Sequence, residues 1–182
     1  LWLSLRVALV AVLWSLPLAF GLALALSQPR WPLAGRVLLD VLVHLPLILP
    51  PVVIGYILLI TFGVQAPLGG WLAEHFDIRF VFSWTGAALA AGIVSLPFQV
   101  RSMRLSIEQI DPRLLAAAAS LGANAWQRLW RVILPLSLPG IIGGAMTAFA
   151  AALGEFGAII TFVSNIPGET RTLPLAIYTA LQ

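Results

Sequence analysis

The 182-residue sequence contains no cysteine and no lysine, and only 9% of its residues are charged. The absence of cysteine excludes disulfides and thiolate metal sites, and it leaves the redox compartment undetermined. The absence of lysine excludes an orthodox P-loop, whose Lys reaches the β- and γ-phosphates of ATP. If ATP drives the work of this protein, another subunit therefore binds the ATP, and we expect no resident cofactor in this chain.

Charge is scarce because 60% of the residues are hydrophobic. The charged fraction of 9% is well below the value of about 25% that is usual for a soluble domain. The mean hydropathy of +1.00 is correspondingly high. We therefore predict an all-α integral membrane protein, a polytopic helix bundle that forms one transmembrane domain over residues 1–182. The basic residues outnumber the acids by ten to seven, which indicates membrane topology rather than nucleic-acid binding.

Four apolar stretches are long enough to cross a bilayer, which takes about 20 residues. They cover residues 1–26, 45–62, 81–100 and 138–162. A signal peptide is the alternative for the first stretch, but its apolar core would be shorter, about 7–15 residues. The polar, turn-rich regions 27–44 and 63–79 are predicted loops. In the second stretch Pro46, Pro50 and Pro51 predict a broken entry.

A charged segment, residues 105–135, separates the third and fourth stretches and predicts two short helices joined by a glycine. Asp111, followed by a proline, is a good start for the first helix. Gly122 predicts its end, in a left-handed backbone conformation. Asn124 and Gln127 have the spacing of a capping box for the second helix.

The second helix of this segment carries aromatic residues on one face, since Trp126 and Trp130 lie four residues apart. Pro135 is predicted to end that helix, and Pro139 to lie near the start of the next one. The segment is either a solvated amphipathic linker or a docking element.

The segment resembles the cytoplasmic loop of ABC-importer permeases, whose pattern is Glu-Ala-Ala, three residues, Gly, nine residues, Ile-x-Leu-Pro. The matching positions are Ala117, Ala118, Gly122, Val132, Leu134 and Pro135. Ala116 stands where the family has Glu, which removes a salt bridge but leaves the apolar docking face. The resemblance implies coupling to an ATPase through these residues: Arg113, Leu114, Leu115, Ala117, Ala118, Gly122, Trp126, Arg128, Leu134 and Pro135.

Three further motifs resemble the permease subunit of molybdate ABC importers, and the match covers nearly the whole chain. They are GEFGA at 154–158, NIPGETRTLP at 165–174 and HLPLILPPVVIGY at 44–56. The resemblance implies a type I importer permease that translocates molybdate, and tungstate with it. It also implies one further C-terminal span, which this chain lacks.

The same resemblance implies the partners. They are a pair of ATPase subunits that hold ATP and Mg, an extracytoplasmic molybdate-binding protein, and a second permease copy in a homodimer. A sulfate or thiosulfate permease of the same family remains an alternative. An ion channel or an intramembrane enzyme is an alternative from another class, although no catalytic triad is visible in the sequence.

Glu155 is the carboxylate that lies well inside a predicted span, where acids usually face the bundle interior or a water path. It is either a structural carboxylate or part of a gate. The pathway or gate candidates are Pro50, Pro51, Thr147, Glu155, Phe156 and Thr161. A doubly charged oxyanion would avoid Glu155, so we expect Thr147, Thr161 and helix N-termini to hold it.

A metal site is not predicted, because His75, near two acids, has no second His or Cys nearby. The arginines predict the orientation. Seven of the ten lie in region 27–44 or between the third and fourth stretches: Arg30, Arg36, Arg101, Arg104, Arg113, Arg128 and Arg131. We therefore expect a multi-pass protein of the cell membrane, either an inner or a plasma membrane. By the positive-inside rule these regions are cytoplasmic and the N-terminus lies outside.

Overall fold

The computed structural model describes residues 1–28 and 32–182, so Arg30, which belongs to the predicted cytoplasmic group, lies outside the described residues. The described chain is helical, which confirms the predicted all-α fold. A π-helical turn, Leu129–Ile133, lies between α7 and α8. The α-helices are α1 (Trp2–Ser27), α2 (Leu33–Ile48), α3 (Pro51–Phe62), α4 (Pro67–Phe76), α5 (Trp84–Glu108), α6 (Pro112–Ser120), α7 (Ala125–Arg128), α8 (Leu134–Gly154), α9 (Gly157–Val163) and α10 (Leu173–Ala180).

Helix α5 is the centre of the bundle and packs against α1 along one side and α8 along the other. Small residues allow α1 to approach closely, since a Cβ atom at Gly92 would lie 2.5 Å from the indole ring of Trp14. The indole Nε1 of Trp14 donates to the carbonyl oxygen of Ala88 at 3.3 Å. This bond fixes α1 against the first half of α5.

The contact between α5 and α8 depends on glycine as well. A Cβ atom at Gly140 would lie 2.7 Å from the carbonyl oxygen of Ser102, and one at Gly144 would lie 3.1 Å from the Cα of Gln99. The hydroxyl of Ser102 donates to the carbonyl oxygen of Gly140 at 2.9 Å. Such close backbone approach favours association between membrane helices, whose surfaces gain little from leaving lipid.

Buried apolar side chains form two clusters along the bundle. One joins the first halves of α1 and α5 with α3 and α9, and Phe162 is its largest fully buried side chain. The other joins the second halves of α1 and α5 with α2, around Leu26 and Met103. Helices α2 and α3 therefore pack against opposite ends of the bundle.

Two predicted loops are helical, which corrects the sequence-based expectation. Most of region 27–44 belongs to α2, because its charged side chains pair with α5 instead of facing water. Region 63–79 contains α4, which packs through the backbone at Gly69 against the end of α3. In both regions a tertiary partner stabilises a helix that local composition does not predict.

Two of the helices in the described ranges are long and apolar enough to cross a membrane. They are α1, which corresponds to the predicted span 1–26, and the continuous helix Ala125–Gly154. Helices α2 and α3 make a third candidate if their bent pair counts as one span, and their axes meet at 112°. The predicted span 45–62 is thus broken next to Pro50, as its prolines indicate. The predicted span 81–100 corresponds to α5, which is long enough but less apolar, because its small and polar residues pack inside the bundle.

Candidate functional site

The charged segment between α5 and α8 has the local geometry that its sequence predicts. The carboxylate of Asp111 accepts from the backbone N–H of Arg113 at 2.9 Å. Gly122 has a φ of +84°, in the left-handed region. Asn124 and Gln127 form a reciprocal capping box, with N–H···O distances of 2.8 and 3.0 Å. The predicted helix start, the glycine joint and the capping box are confirmed.

Helix α6 presents an open apolar surface. None of its residues is buried. The side chain of Leu114 is 49% exposed, and that of Leu121, which ends the helix, is 89% exposed. Ala117 is exposed too, whereas Ala118 is half-buried. Adjoining exposed apolar side chains of this kind, bordered by charged residues, are typical of a surface that a partner covers.

Several of the predicted coupling residues meet at one groove. Leu115, Trp126 and Arg128 line it, together with Leu24 and Gln28 at the end of α1. The groove therefore connects the α6–α7 segment with the first long helix of the bundle. The sequence pattern does not show this contact, because α1 lies about a hundred residues away along the chain.

Trp126 and Trp130 contact each other on the outer face of the segment, as their spacing predicts. Their ring centroids are 5.5 Å apart in an edge-to-face arrangement. Both side chains are more than half exposed. The pair therefore forms a rigid aromatic surface beside the groove.

The prediction that Pro135 ends the second helix is wrong, since the helix Ala125–Gly154 runs through it. The π turn Leu129–Ile133 precedes the proline, and the N–H of Leu134 bonds to the first carbonyl of that turn. A proline lacks an N–H and collides with the carbonyl four residues earlier, and the wider turn accommodates both features. Pro139 likewise lies inside the helix.

Two helix breaks lie next to each other in the bundle. One separates α2 from α3 and the other separates α8 from α9. A Cβ atom at Gly157 would lie 3.0 Å from the Cβ of Pro51, and one at Gly55 would lie 2.6 Å from the carbonyl oxygen of Ala158. The starts of α3 and α9 are therefore in close contact, so that each break has protein against one side, and a membrane-embedded break needs such support.

Glu155 lies within the second break and is only 7% exposed. Its Oε1 accepts from the backbone N–H of Ala158 at 2.8 Å. The carboxylate thus caps the helix that follows it, which is a structural role. The ring of Phe156, the other residue of the break, lies 5.1 Å from that of Tyr178 in α10.

The hydroxyl groups expected to hold an oxyanion are bonded within their own helices. Thr147 donates to the carbonyl oxygens of Gly143 and Gly144, both at 3.0 Å. Thr161 donates to the carbonyl oxygen of Gly157 at 2.8 Å. In this arrangement each hydroxyl turns oxygen lone pairs outward, so neither offers a hydrogen to an anion.

A cluster of charged residues that sequence reasoning missed connects α2 to α5. Arg104 contacts Asp40 at 2.9 Å and Glu108 at 2.8 Å, and Arg36 contacts Glu108 at 3.4 Å. The spacing of Arg104 and Glu108 is a sequence signal for a helix pair. Asp40 was not expected to join them because its region was predicted to be a loop.

Comparison with known proteins identifies the family. Residues 15–181 match the family described as binding-protein-dependent transport system inner membrane component. The chain belongs to this family. It is therefore a membrane permease, in agreement with its apolar helices and its all-α fold.

Three relatives show how the similarity is distributed. The Molybdenum transport system permease protein ModB of Escherichia coli strain K12 is 53% identical over 180 residues, which cover 99% of this chain and 78% of that protein. The protein of the same name from Haemophilus influenzae is 51% identical over the same shares. The Sulfate transport system permease protein CysT of E. coli strain K12 is 40% identical over 163 residues, which cover 90% of this chain and 58% of that protein.

The capping role of Glu155 can be tested by two substitutions. Glu155→Gln keeps an oxygen that accepts from the N–H of Ala158, so the permease should melt within a few degrees of wild type. Glu155→Ala leaves a buried N–H without a partner, which costs about 1–3 kcal/mol. Thermal unfolding of the purified permease in detergent measures both. Equal destabilisation by the two substitutions would contradict the capping role.

Proposed function

We propose that this permease is the membrane subunit of an ATP-driven importer of molybdate, and of tungstate with it. The observation that carries the proposal is the 53% identity to a molybdenum permease over 99% of this chain. Sulfate is the second candidate, because a sulfate permease is 40% identical over 90% of the chain. All three substrates are tetrahedral dianions, so one architecture suits each of them.

The permease works with separate subunits. ATP hydrolysis belongs to a pair of ATPase subunits, since this chain has no lysine for a P-loop. A binding protein delivers the oxyanion from outside, in keeping with the family description. A second copy of the permease completes a homodimer.

The arginines support an orientation in which α6 and α7 face the cytoplasm. Arg101 and Arg104 lie near the end of α5, and Arg113, Arg128 and Arg131 follow in the charged segment that contains α6 and α7, which we call the coupling segment. The opposite end, where α1 begins, carries fewer arginines. The positive-inside rule places the arginine-rich end in the cytoplasm and the N-terminus outside.

The coupling segment docks in a groove of the ATPase. Leu114 and Leu121 supply exposed apolar surface for burial in that groove. Arg113 and Arg128 pair with acids at its rim. Because Ala116 replaces the family's Glu, the contact depends mainly on apolar burial. Movement of α6 is passed through Gly122 to α7, and from there across the π turn to Leu134, Pro135 and α8.

The paired helix breaks form the gate of the pathway. Pro50 and Pro51 lie at one break and Phe156 lies at the other. The two breaks are in direct contact through the starts of α3 and α9. A negatively charged Glu155 would repel a passing dianion, so it stabilises the closed arrangement and does not bind substrate. Rearrangement of the breaks would release the hydroxyl of Thr161, which then could donate to an oxyanion.

The substrate is tested by complementation with the full-length gene. In a strain that lacks its molybdate permease, the gene should restore molybdoenzyme activity at limiting molybdate. In a strain that lacks its sulfate permease, it should not restore growth on sulfate. The reverse pair of results would favour the sulfate candidate.

The coupling role is tested at Gly122. Its φ of +84° costs a residue with a Cβ roughly 1 kcal/mol or more, and a β-branched residue most of all. Gly122→Val should therefore tilt α6, so that ATP hydrolysis continues while molybdate uptake falls. Gly122→Asn is the matched control, because Asn tolerates this conformation.

Uptake and ATPase activity are measured on one reconstituted preparation of the complete importer. The Asn variant should transport near the wild-type rate. Wild-type uptake and wild-type coupling in the Val variant would show that the segment is only a linker.

A further inference from the structure

A cavity of about 390 Å³ opens between α2 and α5, at the arginine-rich end of the bundle. It lies apart from the groove lined by Leu115, Trp126 and Arg128, and from the helix breaks. Its walls are partly charged and partly apolar. The lining residues are Asp40, His44, Arg101, Arg104, Leu105 and Glu108.

The charges around this cavity do not balance. Arg104 is occupied by Asp40 and Glu108, and Arg36 also contacts Glu108. The imidazole Nδ1 of His44 lies 3.4 Å from Asp40. Arg101 is exposed, and no acid among the described residues lies within ion-pairing distance of it. Three arginines thus face two carboxylates, which leaves one excess positive charge at Arg101.

The surface next to the cavity is apolar. Helix α2 turns its charged side chains towards α5 and its apolar side chains outwards, the reverse of a helix that faces water. On α5, Leu105 is 53% exposed at the rim of the cavity. The exposed apolar residues of α2 are Leu33, Val37, Leu38, Val41, Leu42, Leu45, Leu47 and Ile48.

The position of Arg101 along α5 places the cavity at the edge of the bilayer. No charged residue occurs between Phe80 and Val100, and Arg101 is the first charge after this stretch. A positive side chain that ends the apolar stretch of a membrane helix lies at the level of the lipid headgroups. Basic pockets between membrane helices at this depth bind anionic headgroups.

We propose that this cavity binds an anionic phospholipid of the leaflet next to the coupling segment. The phosphate contacts Arg101, and one acyl chain lies along the outer face of α2 and over Leu105. A phospholipid with one negative charge matches the single excess positive charge. A small free oxyanion would meet the carboxylates of Asp40 and Glu108 and gain nothing from the apolar rim.

The test measures lipid binding to the complete importer by native mass spectrometry, with phosphatidylglycerol and phosphatidylcholine as probes. Wild type should bind phosphatidylglycerol more tightly. Arg101→Gln should weaken phosphatidylglycerol binding roughly fivefold, the effect of one arginine at a membrane surface, and weaken phosphatidylcholine binding less, because choline offsets the charge of its phosphate. Arg79→Gln is the matched control, because Arg79 pairs with Asp77 beyond the opposite end of α5 and should change neither lipid.

Further measurements distinguish a lipid site from a simple anion site and from a contact between permease copies. Leu105→Ser should weaken binding of both lipids, since it removes apolar rim. Unchanged phosphatidylglycerol affinity in Arg101→Gln would overturn the proposal. Displacement of the lipid by millimolar inorganic phosphate would also overturn it and identify a simple anion site. A change in the number of permease copies in Arg101→Gln would instead identify a contact between copies. None of these results depends on which oxyanion is imported.

Discussion

The close approach of α5 to α1 and α8 is the contact on which the rest of the permease depends. Helices in lipid gain little from burying apolar surface, so backbone proximity and hydrogen bonds hold them together. Glycines 92, 140 and 144 provide the proximity. Gln99 of α5 adds a fully buried hydrogen bond to Ser15 of α1, 2.8 Å long. Because the α6–α7 segment leaves α5 and returns into α8, a movement of this segment would act on two helices of this central unit.

The helix breaks follow from the same constraint. Every backbone group inside a membrane needs a partner, so a break is stable only where protein supplies one. The starts of α3 and α9 contact each other through Gly55 and Gly157, and Glu155 caps the N–H of Ala158. The two breaks are therefore supported jointly. A change in one of them removes the support of the other, which suits a gate with two states.

Local features of this fold were predictable because their partners are neighbours in the sequence. Asn124 and Gln127 bond across three residues, and a left-handed Gly122 ends a helix by a rule of backbone sterics. Helix α2 was not predictable, since Asp40 and its partner Arg104 are 64 residues apart. The course of the helix through Pro135 depends on a π turn that no local pattern indicates. The contact between the two breaks likewise joins distant parts of the chain.

We propose that the exposed α6–α7 segment receives the ATPase. Because the chain has no cysteine, a single Leu121→Cys substitution provides a unique thiol on this surface. A short thiol-to-amine cross-linker applied to membranes that contain the complete importer should link this position to the ATPase subunit. The same reagent should not do so from Ile48→Cys, on the outer face of α2, which is 75% exposed. A Leu121→Cys protein that reacts with the reagent but forms no link to the ATPase would contradict the account.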